Sequence, residues 1–351
     1  DFCLSRGLGD VYKRQAYNVG AEMRNAEFAN TVGVATKEGN TWTRRTLHPY
    51  LVNATGENLC DKYGIDKEVE NWEEILPVMY KEILAGRGPI YWQGTSERKW
   101  KVLPKYGEIA IERLGMQRDQ NIEIIPVPTL RQGAIRVDLH CRTTVSGLWA
   151  VGDAIFGGSS FTGANAPANV GGEPIPFAEV TGYRAGAAAA DFASSATAPK
   201  VEFAEVSRLK EQIYAPLERK QGLNPRDAIY QVQEAVIPLK YMLLRTRERM
   251  QEALSKIEEV KTRLATLQAK DLHYLVKCHE AASMTLCAEI TYRAALMRQE
   301  SRGSHIREDY PKRDDQNWLK WIIIKRKNRE MRLWTEPVPI DRYRIKPPEK
   351  A

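Results

Sequence analysis

The chain has 351 residues, 43% of them hydrophobic, which is enough apolar material for two or three domains with proper cores and excludes a disordered tail. Lys and Arg number 52 against 45 Asp and Glu, a formal charge of +7, but the cations alternate with acids and no aromatic-rich ribonucleoprotein motif accompanies them, which argues against nucleic acid. No apolar run approaches the roughly twenty residues that cross a bilayer, and Cys3, Cys60, Cys141, Cys278 and Cys287 show no CxxC or metal-ligand spacing, so reduced thiols and no metal are expected.

The first fifteen residues, DFCLSRGLGDVYKRQ, have no periodicity and no join to the residues after them. They resemble translated adapter sequence and are expected to be a non-native leader outside the fold, so the GLG is not read as a phosphate loop. On that reading the natural protein continues upstream. Short strand-like pieces come next, around Glu22–Phe28 and Tyr50–Asn53. Residues 66–116 read as helical, with Trp72, Ile75, Leu76, Met79 and Ile83 at helical spacing and Pro77 expected to kink or interrupt the helix. GRGPIYWQG is a punctuated turn into a short apolar strand, and residues 122–127 and 134–138 read as further strands.

GLWAVGDA at 147–154 reads as an apolar strand ending in a small-residue turn. A Gly-rich loop, FGGSSFTGANAPANVGG, leads to a helix from about Pro174 to Ala193. Beyond an Ala/Ser/Thr/Pro linker the chain becomes strongly helical. NPRD at 224–227 supplies an N-cap, a first-turn proline and an acid at the positive helix end. Met250, Leu254, Ile257, Val260, Leu264 and Leu267 keep the spacing of an antiparallel bundle, and another helix spans about 271–299. The tail WIIIKRKNREMRLWTEPV reads as a hairpin turning near Asn328.

Two stretches carry the functional signal. An acid at Asp153, beyond the carboxyl end of a strand, sits where α/β folds bind ligands and can accept hydrogen bonds from sugar-type hydroxyls. The glycines allow backbone to approach a flat ring, and the free N–H groups at the start of the next helix suit a site that becomes negative. The other stretch, residues 300–320, packs eleven Asp, Glu, Lys, Arg or His side chains and two aromatics into twenty-one positions, with Gly303 and Pro311 among them. Charges of both signs in that density suggest a segment tied down by its own ion pairs.

ESRGSHIREDYPKRDD closely resembles the C-terminal signature of the succinate dehydrogenase and fumarate reductase flavoprotein family. TTVSGLWAVGDA is similar to that family's second flavin-binding motif, GGEPIPFAEVTGYRAG to its double-glycine segment, and AYNVGAEMRNAEF to its Ala-Tyr-x-x-Gly-Ala-Glu-Met stretch. The resemblance implies an α/β fold with an additional α portion: the closing part of a Rossmann-like FAD-binding domain, a partial α+β capping domain, a three-helix bundle and a hairpin tail. It divides the chain into 16–128 (end of the first FAD section and capping domain), 129–198 (closing FAD section) and 199–351 (helical domain).

By the same resemblance Asp153 contacts the ribityl chain of FAD, and Asn165, Gly171, Gly172, Glu173, Pro174 and Ile175 lie along the ring. Glu173-Pro174 stands where the family usually has Asn-Ser, so backbone contacts rather than side-chain contacts carry over. Arg45 matches the arginine that delivers a proton during hydride transfer. Read on its own, it could equally be a surface or phosphate-contacting arginine. His48 is a candidate acid or base nearby. The family's His-Pro-Thr is replaced by Val32-Gly33-Val34, its clamping histidine by Thr162 and an arginine by Asn169, which argues against a C4 dicarboxylate substrate. Arg131 and Arg142 are left without assigned work. The implied reaction is hydride exchange between a small-molecule substrate and flavin N5, with electrons passed to a ferredoxin-like iron–sulfur subunit, on the cytoplasmic side and peripheral to a membrane. The competing readings are an adenylylsulfate reductase α-subunit or, in a different class, a non-catalytic helical interaction module. Residues 300–320 are expected to brace the helical domain against the flavin domain.

Overall fold

The computed structural model describes residues 8–28, 31–36, 42–43, 50–67, 72–93, 121–129, 134–155, 174–198 and 200–343. The architecture is mixed α/β with a large helical portion. In chain order the first half comprises α1 (Leu8–Asn18), β1 (Met23–Arg24), β2 (Thr31–Thr36), β3 (Trp42–Thr43), β4 (Leu51–Val52), α2 (Leu59–Tyr63), α3 (Trp72–Leu84), β5 (Ile90–Trp92), β6 (Ile122–Thr129) and β7 (Ala134–Ile135). A 3-10 turn, Gly152–Ile155, then precedes α4 (Pro174–Ser195) and α5 (Phe203–Glu218). The remainder is α6 (Pro225–Val236), α7 (Leu239–Met242), β8 (Leu244–Arg245), α8 (Arg247–Arg263), α9 (Leu272–Met297), β9 (Ile306–Arg307), α10 (Asp315–Trp318), β10 (Lys320–Lys327) and β11 (Glu330–Pro337).

The helices start where the sequence offers an acceptor. Asn224 accepts from the Arg226 N–H, Thr246 from Arg249 and Asp271 from Tyr274, each satisfying one orphan donor of a first turn. Their apolar stripes then meet: Val232 and Val236, Met250, Ile257 and Val260, and Met284, Ala288 and Tyr292 are all buried in one cluster. Of the stretch 66–116 only residues 66–67 and 72–93 are described, and there the helix and the strand after GRGP both form. One helix, α3, runs unbroken through Pro77, and β5 follows it. A proline removes only its own N–H, and the buried stripe Ile75, Leu76, Met79 and Tyr80 holds the turns on both sides.

Two antiparallel sheets organise the rest. One has the order β3-β2-β6-β5-β4, and its described side chains pack on α2 and α3. The other has the order β11-β10-β1-β7, so the C-terminal hairpin is no appendage. It turns through Asn328 and Arg329, both at positive φ, and its first strand is the partner of β1. Ile322 and Ile324 face one core cluster while Trp321 and Ile323 face another, which is why the apolar run WIII does not alternate with polar residues.

Two further expectations change. Leu8–Gln15 are not separate from the fold, because α1 continues across residue 15 to Asn18 and lies along α9, where Arg14 donates to the carbonyl of His279 at 3.5 Å. Residues 147–154 are not a strand. Only a single bridge, Arg142 to Trp149, precedes the 3-10 turn. A strand needs a neighbouring ladder, and none of the described strands runs alongside this segment. Among the described residues no helix is long and apolar enough to cross a membrane.

Candidate functional site

The segment leading to Asp153 is built as a tight loop. The Thr143 N–H donates to Leu148 O at 2.9 Å and the Ala150 N–H to Cys141 O at 3.1 Å, closing the chain on itself before Gly152. Gly152 has φ +57 and packs against α4, where an added Cβ would lie 3.4 Å from the Cβ of Ala178. The constraint there is the backbone angle, since a left-handed residue with a side chain is strained. The Gly152 N–H, buried by this contact, donates to Thr181 Oγ1 at 3.0 Å, and that hydroxyl donates in turn to Phe177 O at 2.6 Å. A single hydroxyl thus fixes the turn to the first half of α4.

The next residue, Asp153, projects an exposed carboxylate from this anchored turn, about one helical turn along from the start of α4. Ile175, in the first turn, is 79% exposed. The result is a ledge: a fixed backbone, an accessible acid and an open helix start. It can accept hydrogen bonds from hydroxyls and offers the positive end of a 22-residue helix to an electron-rich group. Pro174 opens the helix, and its side chain together with Asn165, Gly171, Gly172 and Glu173 lies outside the described residues, as do Arg45 and His48.

The charged signature is a closed knot. Arg298, at the end of α9, donates to Glu27 Oε1 at 2.8 Å, to Glu300 Oε1 at 2.7 Å and to the carbonyls of Trp318 and Lys320 at 2.9 and 2.7 Å. Arg302 bonds Glu300 and Asp315, and Arg307 forms a fork on Asp309 while also donating to the carbonyls of Ala295 and Arg298. Glu27, Arg245, Arg298, Glu300, His305 and Arg307 are essentially inaccessible. The knot therefore holds together the start of the sheet, the end of the longest helix and the hairpin.

His305 sits among these cations. Arg245 Nη1 lies 2.7 Å from its Nδ1, and since a guanidinium can only donate, Nδ1 accepts and the ring is neutral. Burial first, then the charges of Arg245, Arg298 and Arg307, hold its pKa well below the usual histidine value. A base so enclosed has no reach to a reactant. Burial raises the Glu27 carboxyl, with Arg298 opposing. Sequence reasoning found the bracing segment but missed Glu27, Arg245 and Arg298. The signal was available for Glu27 alone, which stands in the AEMRNAEF stretch beside Phe28.

Another buried carboxylate lies on α3. Glu82 receives a fork from Arg87 at 2.7 and 2.7 Å, Tyr63 Oη at 2.5 Å and Asn53 Nδ2 at 2.7 Å. Hydrogen bonding from Arg87 is the leading reason that it stays ionised far below the ordinary glutamate range. Every acceptor position is filled, so it is structural.

The profile described as fumarate reductase flavoprotein C-term matches residues 234–351. The chain is 27% identical over 292 residues to one of the subunits of the fumarate reductase (CoM/CoB) of Methanothermobacter marburgensis, covering 79% of this chain and 51% of that protein. It is 28% identical over 333 residues to an uncharacterized FAD-dependent oxidoreductase of Methanocaldococcus jannaschii, covering 92% of this chain and 59% of that one. The chain thus spans little more than half the length of these relatives. Its fold is similar to that of a FrdA variant of E. coli quinol fumarate reductase, with TM-score 0.81, 22% identity, and coverage of 98% of this chain and 63% of that one. The fold and the matched segment together make the chain similar to flavoproteins of the succinate dehydrogenase and fumarate reductase type, FAD-dependent oxidoreductases among them.

Proposed function

We propose that this chain supplies the closing part of an FAD site in an oxidoreductase of the succinate dehydrogenase and fumarate reductase type. The observation that carries the reading is the turn at Gly152–Asp153, pinned to α4 by the Thr181 hydroxyl. The residues present suit the cofactor. Asp153 would hold ribityl hydroxyls by accepting their hydrogen bonds, and the backbone N–H groups opening α4, with Gly171 and Gly172, would face the electron-rich edge of the ring. Bound FAD supplies two-electron exchange with a substrate and onward passage of single electrons.

The chain's own residues orient that group and set its polarity. Arg45 is proposed as proton donor and His48 as an acid or base close by. An arginine serves this purpose only when neighbours hold and reprotonate it, because its intrinsic pKa exceeds about 12. The substrate is a small molecule. The replacements at Val32–Val34, Thr162 and Asn169 remove cations that a C4 dicarboxylate would use, so a different substrate is favoured. The proposed partner is a ferredoxin-like iron–sulfur subunit, and the assembly would be peripheral to a membrane. Residues 16–128 would act as the end of the first FAD section plus cap, 129–198 as the closing FAD section, and 199–351 as a helical domain that braces it.

The test is the flavin spectrum of the reading frame containing this chain with its upstream sequence. The product should purify with bound flavin, and Asp153→Ala should lower flavin occupancy at unchanged circular dichroism. A folded product that is colourless and does not take up added FAD would overturn the assignment. The isolated 351-residue chain is expected to retain no stoichiometric FAD.

A further inference from the structure

The four-stranded sheet carries a cleft of about 1070 Å3 walled by β1, the segment after β7 and the segment after β11. Arg24, Arg136, Arg142 and Arg342 line it. Two carboxylates share the lining, and both are committed elsewhere. Glu22 receives Arg136 at 2.9 Å and Lys325 at 3.3 Å, and Asp138 Oδ1 accepts the backbone N–H groups of His140 and Arg142 at 2.8 and 2.9 Å. Arg136 is also held by Glu336 at 3.0 and 2.8 Å, so its charge is spent.

Arg142 and Arg342 are exposed and form no ion pair among the described residues. Arg24 is 1% exposed, with its guanidinium 4.1 Å from the centre of the Trp321 ring. Burial, then repulsion from Arg136, brings its pKa down to about 10 against the pull of Tyr343 and Glu336. Two exposed rim cations without an ion pair among the described residues, beside the buried Arg24, form an arrangement that an anion can bridge. Val137, Leu139 and Tyr343 give the walls apolar area, and a concave, largely apolar site with a few placed polar groups is the usual form of a small-molecule site.

We propose that this cleft binds a small organic dianion, a phosphate monoester or a dicarboxylate on a compact apolar body, gripped by the forks of Arg142 and Arg342. Guanidinium matches either anion in two-pronged geometry. None of the lining residues belongs to the proposed flavin contacts, so the two assignments stand or fall separately.

Titration calorimetry of the 351-residue chain at low salt, with phenyl phosphate and with phthalate as probes, tests this. At least one should bind at a 1:1 ratio, and the one that binds more tightly identifies the anion. Arg142→Gln and Arg342→Gln should each weaken binding about tenfold or more, while Arg226→Gln, an exposed arginine on α6, should not. Affinity should also fall as salt rises. Absence of saturable binding for both probes, or binding indifferent to both rim substitutions, overturns the proposal. Because both rim side chains are exposed, circular dichroism of the variants should match that of the parent.

Discussion

The signature around Arg298 and the ledge at Asp153 are opposites. In the first, Arg245, Arg298, Arg302 and Arg307 face Glu27, Glu300, Asp309 and Asp315, and most of the side chains are buried. In the second, one hydroxyl fixes a glycine turn next to an acid that is exposed to solvent. The contrast teaches that dense charge in a sequence can mark a brace, because charges satisfied by one another have nothing left for a ligand. Sparse, small residues around one exposed acid mark a place that can still bind.

Substitutions can break the comparison, the largest effect first. Arg298→Met should destabilise the fold by about 3–5 kcal/mol, because Glu27 is left buried without its ion-pair partner, while Glu300 keeps Arg302. Urea unfolding measures it, and a loss under about 1 kcal/mol would mean that the knot is not a brace. Thr181→Val should cost about 1–3 kcal/mol by stranding the buried Gly152 N–H. Faster hydrogen exchange at Gly152, with the amides of α8 unchanged, would localise that loss to the ledge.

The pH response separates the two regions further. His305 is neutral in the fold and titrates near 6.5 when unfolded, so the unfolded chain binds the extra proton first. The stability contributed by its neutral form is present above about pH 6.5 and declines as pH falls below it. His279, lowered chiefly by burial, adds in the same direction, and Glu27, raised by burial, works against it. Thermal unfolding between about pH 7 and 5 should therefore slope downward, and His305→Asn should flatten the slope. Asp153→Asn should have the smallest effect on stability, within about 0.5 kcal/mol, as for an exposed side chain away from the core. A larger loss would show that Asp153 is part of the scaffold and not kept for a ligand.

Much of the helical portion was legible in the sequence. Asn224-Pro225 opens α6, the Met250–Val260 stripe faces the core, and the chain turns at Asn328, because capping, period and turn chemistry are local and are spelled out within a few residues. The site was legible only in part. Asp153 stands at a turn as expected, yet the strand assigned to it dissolves into a bridge and a 3-10 turn, since a strand is defined by a neighbour that its own sequence does not contain.

By itself the sequence determined the helices, the hairpin turn and the family resemblance, all of which follow from short-range patterns. Only the tertiary structure decided that Glu27 meets Arg298 across 271 positions, that β10 pairs with β1, and that Arg24, Arg142 and Arg342 line one cleft. Such pairings depend on which surfaces the chain buries together. Local propensity does not encode that choice, and the partners lie too far apart in sequence for periodicity to reveal them.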